Sequence, residues 1–279
     1  MKSFKNLCKE ELLKERENLQ KQYDNYLKEN LDLDMSRGKP CKEQLDLSND
    51  ILNINDYISR DNIDLRNYGI LDGIKEAKKL FADILDIDEN NIIIGGNSTL
   101  NMIYDAIARL YMFGYMDNTP WCKLSKIKFL CPVPGYDRHF DILEKFGFEM
   151  INIPITENGI NMDMVENLCK NDEAIKGIIC VPLYSNPTGT CYSKETVERL
   201  AKMETKAKDF KIFWDNAYAL HYIYEKIELY NIFDACKKYN TQDRILYFFS
   251  TSKINFPGGG VSILAGSDNT IKDTLKHLS

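Results

Sequence analysis

The chain has 279 residues, of which 44% are hydrophobic and 28% charged, with a formal net charge of −6. That length can bury a large core, and the composition is that of an ordinary globular protein, read as one big domain with an appendage. The acidic balance argues against a protein whose main work is neutralising a nucleic-acid backbone, although an anion site built from backbone amides stays open.

Eight cysteines form no C-x-x-C pair and no Cys/His cluster with zinc spacing, so no metal site is expected. Cys131 and Cys180 fall inside apolar strands and read as small buried hydrophobes. The Met1-Lys2-Ser3 start has no signal peptide, and no apolar run approaches bilayer length. The expectation is a cytoplasmic protein with reduced thiols and no membrane partner.

Along the chain, residues 5–29 place Leu7, Leu12, Leu13, Leu19, Tyr23, Tyr26 and Leu27 at helical spacing, an amphipathic helix to be packed on a body or a partner. Residues 33–66 are irregular, with Gly38, Pro40 and many Asp and Asn, and read as a long crossing segment. We therefore set residues 1–66 apart as an N-terminal helix and crossing segment, and 67–279 as a large domain.

From Ile92 onward short apolar strands alternate with helices. Strands are expected at 92–94, 127–131, 149–153, 177–181, 212–214, 245–249 and 261–265. Between the first two, Leu100, Ile103, Tyr104, Ile107, Ala108 and Tyr111 recur at helical spacing over 98–113. Another helix over 193–208 opens on the capping residue Ser193, has Glu195 in its first turn and ends in lysines, as the helix dipole favours. The implied fold is α/β, a three-layer arrangement around a mostly parallel seven-stranded sheet covered on both faces, with an N-terminal helical segment.

In such sheets ligands gather beyond the carboxyl ends of the strands. Five places in this chain satisfy that rule. Gly95-Gly96-Asn97-Ser98 leads a strand into a helix, either as a phosphate cradle or as a plain capped turn. Tyr136, in Pro132-Val133-Pro134-Gly135-Tyr136, is either an aromatic that stacks on a planar ligand or a core tyrosine. Asn186, in Ser185-Asn186-Pro187-Thr188-Gly189, is an amide in a turn at the same sheet edge.

The fourth place is Asp215 with Asn216-Ala217-Tyr218, a carboxylate that is desolvated unless it meets a cation, or else a helix cap. The fifth is Ser250-Thr251-Ser252-Lys253, followed by Pro257-Gly258-Gly259-Gly260, where the lysine is either exposed or placed to form and release an imine. Taken together these residues match one chemistry. Pyridoxal phosphate needs an amine to hold it (Lys253), an acid at its ring nitrogen (Asp215) and donors to its phenolic oxygen (Asn186, Tyr218). It also needs an aromatic on its ring (Tyr136) and a phosphate cradle (Gly96, Asn97, Ser98 and Ser250).

The chain resembles a fold type I, class I pyridoxal-phosphate aminotransferase, and more narrowly the bacterial aspartate-aminotransferase-like subgroup that carries MocR-type and alanine–glyoxylate names. The resemblance is carried by Arg37-Gly38-Lys39-Pro40, Asn67-Tyr68-Gly69, Leu71-Asp72-Gly73, Gly95-Gly96-Asn97-Ser98, Cys131 to His139, Tyr184 to Gly189, Phe213 to Tyr218 and Ser250 to Lys253. It runs from about residue 31 to the end and implies transfer of an amino group from an amino acid, aspartate or another acidic one, to a 2-oxo acid. It also implies a homodimer, in which Tyr68 reaches the neighbouring subunit's cofactor phosphate, and places Gly38 and Asn186 at the substrate. Lys253 then both holds the cofactor and moves the substrate's α-proton.

Two departures from the pattern stand out. The arginine that class I enzymes usually carry a few residues after the lysine is replaced by Pro257-Gly258-Gly259-Gly260-Val261. The chain also ends at Ser279, a short way past Lys253, within an apparent helix over 269–279. The C-terminal small domain of the family, with its arginine for the substrate carboxylate, is therefore expected to be absent. A truncated or split aminotransferase that binds the cofactor without turnover is then the alternative, as is another pyridoxal-phosphate reaction such as β-elimination or racemisation.

Overall fold

The computed structural model describes residues 4–33, 38–222 and 224–278 and divides into two units, Met1–Lys39 and Pro40–Ser279. The first holds helix α1 (Lys9–Lys28), close to the helix expected from residue spacing. Its start is fixed by a reciprocal cap in which the Cys8 backbone N–H donates to Glu11 Oε2 at 2.8 Å. Glu10 and Glu11 in the first turn and Lys28 in the last both complement the helix dipole.

The second unit is the sheet and its helices. In chain order it runs α2 (Lys42–Asp46), α3 (Lys75–Leu85), β1 (Ile92–Ile94), α4 (Thr99–Phe113), β2 (Lys128–Val133) and α5 (Asp137–Lys145). Next come β3 (Glu149–Thr156), β4 (Gly159–Ile160), α6 (Met162–Asn171), β5 (Ile175–Cys180), α7 (Lys194–Lys202) and β6 (Lys211–Asp215). The unit closes with α8 (Ile232–Lys238), β7 (Ile245–Ser250), β8 (Ser262–Ala265) and α9 (Asp268–Lys276).

These strands form one sheet in the order β1-β8-β7-β6-β5-β2-β3-β4. The central pairs β7–β6, β6–β5, β5–β2 and β2–β3 are parallel, while β1–β8, β8–β7 and β3–β4 are antiparallel. All seven expected strands are present. The count is corrected to eight by β4, a two-residue edge that turns back on the end of β3. Its turn needs Gly159, at φ +128°, where a Cβ would also crowd Thr196 and Tyr192.

Every residue of β5, β6 and β7 is buried, because helices cover both faces of a parallel sheet. One face packs Phe81 of α3, Val165 of α6, Val197 and Leu200 of α7 and Ala235 of α8 on Ile178, Ile212, Trp214 and Tyr247. The other packs Ile103, Ile107 and Leu110 of α4, Leu143 of α5 and Ile271 of α9 on Phe129, Ile179, Phe213 and Phe248. Strand periodicity assigns the remaining positions. Phe213 faces α4 and α5, so Asp215 does too; Phe248 does, so Ser250 follows; Ile179 does, so Val181 follows.

Candidate functional site

Those three strand ends meet the start of α4 and the loop before α5. There a cavity of about 130 Å³ is lined by Ser98, Thr99, Tyr136, Val181, Asn186, Asp215, Tyr218, Ser250, Ser252 and Lys253, with Leu100 and Ala217. The parallel sheet thus delivers its carboxyl ends to one place, as open α/β sheets do.

Asp215 is the electrostatic centre of this cavity. It is only 3% exposed, and its two oxygens are treated differently. Oδ2 lies 2.9 Å from His139 Nε2 and 3.4 Å from the Thr99 hydroxyl. Oδ1 is buried and has no hydrogen-bond partner among the described residues. A buried carboxylate oxygen without a donor is costly, and here it belongs to a residue that lines a cavity. A protonated ring nitrogen is the kind of group that would complete it.

His139 is 2% exposed and enters from the first turn of α5, three residues after Tyr136. Its backbone N–H donates to the Tyr136 carbonyl at 3.1 Å, and the two rings meet edge to face at 5.2 Å. One helical turn therefore presents both an aromatic wall and a partner for the carboxylate. Across the cavity the Tyr218 phenol is held above its ordinary pKa, first by burial and then by the charges of Asp215 and Tyr136. At neutral pH it stays protonated and can donate.

The far side is closed by a clasp between two loops. Asn97 Nδ2 donates to the carbonyls of Pro257 and Gly258, both at 3.1 Å, and Ser252 Oγ donates back to the Asn97 carbonyl at 2.7 Å. Gly96 offers its carbonyl to Ser262 Oγ at 2.8 Å. The turn after Lys253 is pinned by Thr251, which bonds Val261 through both its backbone N–H (2.9 Å) and its hydroxyl (3.0 Å). A Cβ on Gly260 would stand 2.6 Å from that hydroxyl, so the tight return requires glycine. The amino end of α4 and the hydroxyls of Ser98, Ser250 and Ser252 border the same cavity, an arrangement able to take an anion, and no arginine is among the described residues that line it.

Of the residues singled out from sequence, Ser98, Tyr136, Asn186, Asp215, Tyr218, Ser250 and Lys253 share this cavity. Gly96 and Asn97 stand in the clasp behind it. Tyr68 is elsewhere, 98% exposed, and Gly38 belongs to the N-terminal unit; Arg37 lies outside the described residues. Sequence reasoning passed over His139, Thr99 and Ser252. The spacing of His139 from Tyr136, one helical turn, is the signal that could have found it.

A larger cavity of about 340 Å³ opens on the opposite sheet face, against Trp214, Asn216, Tyr247 and the 226–232 segment. It contains neither Asp215 nor Lys253. Among the described residues there is no cluster of His, Cys, Asp and Glu able to hold a metal ion, and no helix is long and apolar enough to cross a membrane.

Residues 7–279 match the family model described as aspartate amino-transferase. The chain is 43% identical over 266 residues to an aspartate aminotransferase of Corynebacterium glutamicum, covering 94% of this chain and 61% of that one. It is equally 43% identical over 282 residues to a protein of Mycolicibacterium smegmatis named as an aminotransferase, covering 99% and 66%. The crystal structure of an aspartate transaminase from Corynebacterium glutamicum superposes with a TM-score of 0.89 at 40% identity, over 98% of this chain and 65% of that one. The chain thus spans about two thirds of the length of these relatives.

Proposed function

From a chain that belongs to the aspartate aminotransferase family, we propose a pyridoxal-phosphate-dependent transaminase that moves an amino group from an amino acid, aspartate or another acidic one, to a 2-oxo acid. The observation that carries this reading is the half-satisfied carboxylate: Asp215 Oδ1 without a partner, in a residue that shares a cavity with Lys253.

When bound, pyridoxal phosphate supplies an electron sink for the carbanion that forms at the substrate's α-carbon. The remaining work belongs to side chains of this protein. Asp215 Oδ1 would accept a hydrogen bond from the cofactor's protonated ring nitrogen and so keep the proton on that nitrogen, while His139 and Thr99 hold the carboxylate through Oδ2. Tyr136 would cover the ring, and Asn186 and Tyr218 would donate to its phenolic oxygen. Ser98, Ser250, Ser252 and the amide-rich start of α4 take the phosphate. Lys253 would hold the cofactor through Nζ, and its amine would be the base that moves the proton at the substrate's α-carbon.

The same reading gives a cytoplasmic homodimer in which Tyr68 serves the neighbouring subunit's phosphate and Gly38 lies over the substrate. The extreme exposure of the Tyr68 ring supports a partner surface there. The experiment is to incubate the purified protein with pyridoxal phosphate and L-aspartate and to measure release of the 2-oxo acid. Stoichiometric release, renewed when a second 2-oxo acid is added, is expected. Ammonia or racemised aspartate in its place would contradict transamination.

A further inference from the structure

His221 stands outside the cavity lining and outside every role given above. It follows β6 in the turn that carries Tyr218, where its own backbone N–H donates to the Tyr218 carbonyl at 3.0 Å. Its side chain crosses to another loop, placing Nε2 at 3.1 Å from the backbone carbonyl of Lys253. A carbonyl only accepts, so the proton of that bond sits on Nε2. Nδ1 is buried and has no hydrogen-bond partner among the described residues. The ring also meets Tyr218 edge-on, with centroids 5.7 Å apart and an interplanar angle of 86°.

Lys253 closes the short 3₁₀ turn Thr251–Lys253, and carbonyls at the end of such a turn have no partner within it. His221 supplies a donor to one of them. The lysine side chain has four rotatable bonds, so the reach of Nζ depends on where the backbone sends it. We infer that His221 is a positioning residue: through its hydrogen bond it fixes the Lys253 peptide, and with it the line along which the lysine amine meets the cofactor. The inference rests on the cofactor-binding reading above, and it concerns the lysine arm of the site, not the anion cradle.

The test compares His221→Gln, which retains an N–H donor of similar reach, with His221→Phe, which keeps a ring and loses the donor. Two quantities are measured for each protein. One is the rate at which added pyridoxal phosphate becomes fixed to Lys253, followed by its absorbance band and by borohydride-trapped mass. The other is the affinity for 4-deoxypyridoxine phosphate, which has no aldehyde and reports binding to the site without attachment to the lysine.

The expected result is that His221→Phe attaches about tenfold more slowly, the size of one lost hydrogen bond. His221→Gln should attach within about twofold of the native rate, and all three proteins should bind the analogue alike. Equal attachment rates for native protein and His221→Phe would overturn the inference. So would a parallel loss of analogue affinity, or equal damage in both variants, each of which marks a merely structural residue. If the native protein fixes no cofactor on Lys253 at all, the failure lies instead in the functional reading.

Discussion

Strand β6 carries a charged side chain at each end of the face it turns to α4 and α5, and the two ends are built differently. At the amino end Lys211 is fully buried, with Nζ donating to the Asp243 carbonyl at 2.5 Å and lying over the Tyr115 ring. Just before it, Asp209 has both oxygens engaged, one by Lys176 Nζ and one by Trp121 Nε1, each at 2.7 Å. At the carboxyl end Asp215 is buried as deeply, yet one oxygen has no partner among the described residues. A carboxylate with both oxygens engaged by the protein is part of the fold. One held firmly on a single side and left open on the other is poised for a ligand.

The sharpest way to break that contrast is to remove the closed carboxylate. Asp209→Ala leaves a buried ammonium and a buried indole N–H unpaired, and should cost about 3–5 kcal/mol of unfolding free energy. Denaturant titration checks this. A much smaller loss would show that the amino end is not closed as described, and the cofactor affinity of the folded fraction should not change.

Asp215→Asn should do the reverse. The amide keeps the shape and a contact for His139 but removes the carboxylate proposed to face the cofactor's ring nitrogen. Affinity for pyridoxal phosphate should fall about ten- to hundredfold, the worth of a hydrogen bond to a charged group. The unfolding midpoint without cofactor should move far less than it does for Asp209→Ala. A stability loss that matched the Asp209 variant, with affinity intact, would erase the distinction between the two ends.

Lys211 gives the comparison a pH signature. Burial lowers its pKa to about 7, against the opposing pull of Asp243, Asp273 and Asp209, whereas an unfolded lysine titrates near ~10.4. Between those values the unfolded chain binds a proton that the folded chain does not. Lys211 therefore makes stability rise with pH, by at most about 1.4 kcal/mol per pH unit. Below about pH 7 both states are protonated, the slope vanishes, and the cost of burying the charge is fully present. Unfolding measured near pH 7.5 and pH 9 should show this rise in the native protein and its loss in Lys211→Met; equal slopes would contradict it. The smallest effect belongs to Thr99→Val, whose hydroxyl stands at 3.4 Å from Asp215 and should cost less than about fivefold in cofactor affinity.

Much of this could be read from the chain itself, for identifiable reasons. Asp215, Ser250 and Lys253 end or follow apolar strands, and period-two alternation carries that placement directly to one sheet face. Strand limits were less legible. β5 begins at Ile175, earlier than its apolar run suggests, because Lys176 is buried with a partner distant in sequence. β4 is too short to show any period. His139 sits inside a motif that sequence reading recognised, yet its meaning depends on how α5 packs against β6, which no local pattern records. His221 depends likewise on a loop more than thirty residues away.

The central claim, that the open end of β6 and the lysine turn form one cofactor site, has a direct measurement. Pyridoxal phosphate is added to the native protein, the mixture is reduced with borohydride, and the protein is digested and analysed by mass spectrometry. The account predicts one phosphopyridoxyl group on Lys253, and no such group at any position in Lys253→Ala. Modification spread over surface lysines, or persisting in Lys253→Ala, would contradict it.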